Sequence, residues 1–90
     1  MHLLCWNRVR EFDRWMAVFA SHKEAHRQAG LFLQGLWVQE DDPAVVHYVF
    51  EVRDRERAQA FISAPDAAGA AEKAGVTAGE CHFVDGREGY

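Results

Sequence analysis

The sequence predicts an α+β domain of order βαββαβ, a split pair of βαβ units sharing one four-stranded antiparallel sheet. Three features carry that prediction. Short runs rich in aromatic and branched residues recur along the chain, an amphipathic stretch separates the first two, and Gly30 and Gly75 each end a helical stretch ahead of a strand.

Residues 2–7 (HLLCWN) read as the first strand, closed by Asn7. Asp13 opens an amphipathic helix that runs to Ala29 and stops at Gly30, a residue that readily takes the left-handed turn past a helix end. Residues 31–39 (LFLQGLWVQ) form the second strand. Glu40-Asp41-Asp42-Pro43 is a polar turn, and residues 45–52 (VVHYVFEV) are the hairpin partner. Asp54 caps a second helix through Ile62, with Ala58, Phe61 and Ile62 facing inward. Ser63-Ala64-Pro65 interrupts it, and a small alanine-rich helix follows over 66–74 before Gly75 ends it. Residues 80–84 (ECHFV) make the fourth strand. No repeat, low-complexity tract or linker divides the sequence, so 1–90 is expected to be one domain.

The third strand is apolar on both sides. Val45 and Val49 share one face, and Val46, Tyr48, Phe50 and Val52 share the other. Two helices cover only one face of a four-stranded sheet. The second face is therefore expected to be buried against the sheet of a second copy, making a homodimer. His47, on the side opposite Tyr48, would then face the dimer interior.

Composition excludes several partner classes. Hydrophobic residues make up 49% and charged residues 27%, and the net charge is −4. Arg53, Arg55 and Arg57 alternate with Asp54 and Glu56, so they form a solvated helix start and no basic face for nucleic acid. No apolar run approaches the roughly 20 residues of a membrane span, and no signal peptide is expected. A cytoplasmic location is expected. Cys5 and Cys81 are isolated, and both read as buried thiols acting as small hydrophobes.

The first helix carries the functional signal. At helical spacing its stripe runs Phe12, Trp15, Met16 and Phe19, then His22, Lys23 and His26. A helix that only covers a core stays apolar along such a stripe. This one ends in two imidazoles and an ammonium, as the floor at one end of a pocket would.

A partly buried histidine beside Lys23 is biased toward its neutral form and can accept a proton. His22 and His26 are therefore candidate general bases, with Trp15, Phe19 and Tyr48 as flat walls for an aromatic or hydrophobic ligand. The bland alternative leaves both histidines facing water at a frayed helix end. A metal reading also exists, because residues four apart on a helix can share one ion. It needs a third ligand from His47, His82, Cys5, Cys81 or Glu51, and Lys23 opposes a cation. No metal is expected.

The order and its punctuation resemble the dimeric α/β-barrel superfamily of ferredoxin-like domains. The resemblance rests on Phe12-Asp13-Arg14-Trp15, His22, Ala29-Gly30, Asp41-Asp42-Pro43 and Phe50-Glu51-Val52. Ala60-Phe61 before Ser63-Ala64-Pro65, and Lys73-Ala74-Gly75-Val76, complete it over nearly the whole chain. The group includes antibiotic-biosynthesis monooxygenase-type proteins, small polyketide cyclases and stress-responsive barrel proteins. It is specific for fold and a poor guide to chemistry. The resemblance implies a dimer closed sheet to sheet, with a ligand pocket between each sheet and its own helices.

It also implies a substrate- or cofactor-contacting polar residue at the end of strand one, where Asn7 stands. Asn7 is otherwise a strand-ending turn former. Haem-degrading members carry an iron-ligating histidine on the second helical segment. Here 66–74 (DAAGAAEKA) has none, so no haem and no other tightly bound cofactor is expected. The reading is a small-molecule-binding protein, as an enzyme a cofactor-independent monooxygenase or cyclase. His22 or His26 would be the base, and Asn7, Trp15, Phe19, Lys23 and Tyr48 would bind substrate. The alternatives are a non-catalytic binding or stress-associated dimer and, third, a metal-binding module.

Overall fold

The structure, a computed structural model, describes residues 1–89. Its order is β1 (His2–Val9), α1 (Phe12–Ser21), α2 (Lys23–Gln28), β2 (Leu31–Val38), β3 (Val45–Val52), α3 (Arg55–Ser63), α4 (Pro65–Lys73) and β4 (Val76–Val84). The strands form one antiparallel sheet of order β2-β3-β1-β4, which is the ferredoxin-like arrangement. Among the described residues, no helix is long and apolar enough to cross a membrane.

Alternation decides which side of the sheet each residue takes. Leu3, Cys5 and Val9 of β1 and Val46, Tyr48 and Phe50 of β3 are buried beneath the helices, together with Trp15, Leu31 and Ala58. The opposite side carries Leu4, Trp6, Val49 and Trp37, with Leu4 49% and Trp37 56% exposed. His47 lies there too, exposed, with Nε2 within 2.7 Å of Gln39 Oε1.

Glycines make two of the corners. Gly30 (φ 74°) and Gly75 (φ 78°) take the left-handed conformation that ends α2 and α4. At Gly30 a Cβ would also stand 2.9 Å from Asp54 Cβ and backbone N. Asp54 caps α3 as expected, its carboxylate accepting from the Arg57 amide at 3.0 Å. The β2–β3 turn is tied to the sheet by an Arg8–Asp42 ion pair of 2.7 Å.

Three departures from the sequence reading exceed a single residue. The first strand does not end at Asn7 but continues to Val9, with a register shift between Arg8 and Val9. The fourth strand begins at Val76 and not at residue 80, because pairing with β1 holds Thr77 to Gly79 extended despite the weak strand propensity of Ala78 and Gly79. The expected single helix over 12–29 is two helices.

The break at His22 has a local cause. In a continuous helix the Val18 carbonyl would accept the His22 amide. Here it accepts the Ser21 hydroxyl at 2.6 Å and lies 2.8 Å from His22 Nδ1. The His22 amide turns instead to the Phe19 carbonyl at 3.1 Å, a tighter i−3 bond. Side chains that compete for backbone acceptors end helices, and Ser-His does so here.

Candidate functional site

A cavity of about 350 Å³ opens between the sheet and the helices. Its sheet wall includes Cys5, Asn7, Tyr48 and Cys81, while α1 contributes Trp15 and Phe19, the α1–α2 junction His22, and α2 His26. The far wall is Phe61 from α3, Ala67, Ala70 and Ala71 of α4, and Ala74 just past its end. Alanine side chains are too short to reach the sheet, and the space they leave is the cavity. The 3–4 spacing of those alanines was visible in the sequence, but only tertiary packing turns small residues into a wall.

His22, His26, Asn7, Trp15, Phe19 and Tyr48 thus all line one cavity. Lys23 does not. It lines an adjoining groove with Met16, Arg27, Phe32 and Leu33, while Phe19, His26, Leu31 and Phe50 belong to both. Lys23 thus stays beside His26 in the groove and is parted from His22.

His22 has an assigned tautomer by simple bonding logic. The Val18 carbonyl can only accept, so Nδ1, 2.8 Å away, carries the proton. In the neutral ring Nε2 then holds the free lone pair. The same bond that breaks the helix therefore orients a proton acceptor.

His26 is different. Its ring lies among Phe19, Phe50 and Phe61, with centroids 5.0, 5.1 and 5.5 Å away. Burial among them, and then the neighbouring His22 ring at 6.3 Å, pull its pKa down to about 4. His26 is a neutral polar member of an aromatic box.

That depression makes stability pH-dependent. The unfolded imidazole, near 6.5, binds a proton that the folded one refuses down to about 4. Stability is expected to be full above pH 6.5 and to fall as pH drops toward 4. The loss is about 1–2 kcal/mol, allowing for the part of the ring that solvent still screens. Urea melts across that range would test it, since His26→Phe should flatten the slope. An unchanged slope would place the imidazole in water.

Asn7 is a hub and does not end a strand. Its Oδ1 accepts from Trp15 Nε1 and from the Tyr48 hydroxyl, each at 3.1 Å, and its Nδ2 donates to the Trp6 carbonyl at 2.8 Å. Trp15 is 2% exposed. A buried indole N–H and phenol need an acceptor, and one amide oxygen serves both. Trp15 also stacks on Phe19 at 4.7 Å and meets Tyr48 at 5.6 Å, so this stripe is core as well as cavity wall.

The cysteines were expected to be buried alike. Cys5 is, but Cys81 is exposed, because β4 is an edge strand thinly covered by α4. Cys5 and Cys81 are direct cross-strand partners, with Tyr48 directly opposite Cys5 on its other side. Sequence reasoning missed Phe61, Asp66 and this thiol pair as lining residues. For the metal reading, no group of three His, Cys, Asp or Glu able to hold an ion occurs among the described residues.

No family model and no curated protein matches the chain. Solved structures do. The crystal structure of an antibiotic biosynthesis monooxygenase matches with a TM-score of 0.69 at 17% identity, covering 97% of this chain and 98% of that one. A proposed antibiotic biosynthesis monooxygenase from Deinococcus radiodurans gives 0.67 at 12% identity, over 100% and 96%. An uncharacterised NIPSNAP domain protein from Burkholderia xenovorans gives 0.65 at 11%, over 97% and 95%. At such identities the likeness is one of fold. The chain has the ferredoxin-like fold of antibiotic biosynthesis monooxygenase-type proteins, as its sequence led one to expect.

Proposed function

We propose that the cavity binds a small planar phenol or enol and that His22 removes its acidic proton. Such proton removal is the opening step of cofactor-independent oxygenation. The supporting observation is the Nδ1–H to Val18 bond of 2.8 Å, which leaves Nε2 as a fixed acceptor on a residue lining the cavity. His26 is the poorer base, since a group that stays neutral down to about pH 4 has little affinity for a proton at pH 7. Its part is to be an uncharged edge of an aromatic box.

The volume of about 350 Å³ suits one or two fused rings, and Phe19, Tyr48 and Phe61 offer faces and edges to them. Oxygenation is favoured over ring closure only by the named activity of the structural neighbours. The working unit is a homodimer joined through the open sheet face, and Lys23 lies outside the catalytic set.

The test uses naphthols and dihydroxynaphthalenes with oxygen-uptake and binding readouts. His22→Gln is expected to cut turnover by about 10²–10⁴-fold while the dissociation constant changes less than about fivefold. Imidazole NMR signals of His22 should shift on binding. Phenols that leave those signals in place would reject the base, and the site would then be a binding cavity alone.

A further inference from the structure

We infer that Cys5 and Cys81 are a cross-strand dithiol in the cavity wall that hydrogen peroxide closes to an intramolecular disulfide. The two residues are direct partners in the β1–β4 ladder, and both line the cavity. Cα atoms of directly opposed residues in antiparallel strands lie about 4.5–5.5 Å apart, within the roughly 4.4–6.8 Å that a disulfide spans. Both side chains point to the helix-covered side, because their neighbours Leu3, Asn7 and Phe83 do. No backbone movement is needed to bring the sulfurs together.

The two thiols are unequal in the way a redox pair requires. Cys5 is 3% exposed, whereas Cys81 is open to small solutes. A hydrogen bond from the Cys5 thiol holds the Cys81 pKa below its ordinary value, while the same bond and burial push Cys5 up. Cys81 is thus the attacking sulfur and Cys5 the resolving one. The homodimer proposed above would use the opposite side of the sheet and leave Cys81 reachable.

The chemistry balances with peroxide as the named oxidant. The Cys81 thiolate attacks one peroxide oxygen, the O–O bond breaks, and hydroxide leaves to become water by taking a proton. The sulfenic acid so formed is attacked by Cys5 sulfur, an S–S bond forms, and the second oxygen leaves as water with the Cys5 proton. Two thiols are oxidised by two electrons and one peroxide is reduced to two waters. Tyr48, directly opposite Cys5, feels the change, so closure alters the cavity wall.

The experiment is peroxide titration of the full chain, followed by denaturing alkylation and intact mass. The expected product is a monomeric species two mass units lighter that takes no alkyl group until reduced. Before oxidation, Cys81 should alkylate at least about tenfold faster than Cys5. Cys5→Ser should stop at a Cys81 sulfenic acid that a dimedone probe captures, and Cys81→Ser should react far more slowly. Four results overturn the inference: two free thiols after peroxide, over-oxidation of Cys81 in the intact pair, a disulfide between chains, or faster alkylation of Cys5. None of these readouts depends on the phenol reading, so either idea can fail alone.

Discussion

Asn7→Leu is expected to lower the unfolding free energy by about 3 kcal/mol, the largest stability effect of any single polar-to-apolar swap near the cavity. Leucine has a similar shape and suits a buried strand position. What it lacks is the Oδ1 that accepts from both Trp15 and Tyr48. Each donor left unpaired indoors costs about 1–3 kcal/mol, so the loss is twofold even if packing is unchanged. Denaturant melts followed by tryptophan fluorescence would measure it. A loss under about 1 kcal/mol would mean that water or another acceptor replaces the amide. Gly79→Ala should act in the same direction from the neighbouring strand. A Cβ there would lie 2.5 Å from Asn7 Nδ2 and 2.8 Å from the Trp6 carbonyl.

A glutamate pair on the open sheet face, Leu4→Glu with Trp37→Glu, is expected to weaken self-association at least about 100-fold. These are the two most exposed large apolar residues on that face. Trp37 lies flat over Gly35, where a Cβ would stand 2.2 Å from the indole ring. The result is a smooth patch with Leu4, Trp6, Val49 and Val84, suited to a second sheet. Two carboxylates buried without partners would cost more than the contact returns. Sedimentation at about 50 µM should find twice the chain mass for the wild type and the chain mass for the variant, with far-UV circular dichroism unchanged. A monomeric wild type would refute the homodimer.

Strands and helices with strong periodicity were legible from the chain itself. Residues 45–52 are a dense run of branched and aromatic residues, and Asp54 followed by a helical run is a cap by composition alone. The position of the cavity was also legible, because a stripe that passes from Phe19 to His22 and His26 marks where an apolar face becomes polar. Its interior was less so. Lys23 shares the stripe on a helical wheel, yet the break one residue earlier turns it into the neighbouring groove. Asn7 looked like a turn former because asparagine usually is one, and its role appears only when Trp15 and Tyr48 are brought to it.

By itself, then, the amino-acid order determined the βαββαβ succession, the covered and uncovered sides of the sheet, and several residues of the cavity lining. Those properties follow from local periodicity, capping and turn chemistry, which act over a few residues. Tertiary structure decided the rest. It set which imidazole is anchored by a backbone carbonyl and which is boxed by phenylalanines, it paired Cys5 with Cys81 from opposite ends of the chain, and it left a space under the alanines of α4. Each of these depends on strand register or on side chains far apart in sequence. A hydrogen bond or a desolvation exists only once both partners are in place.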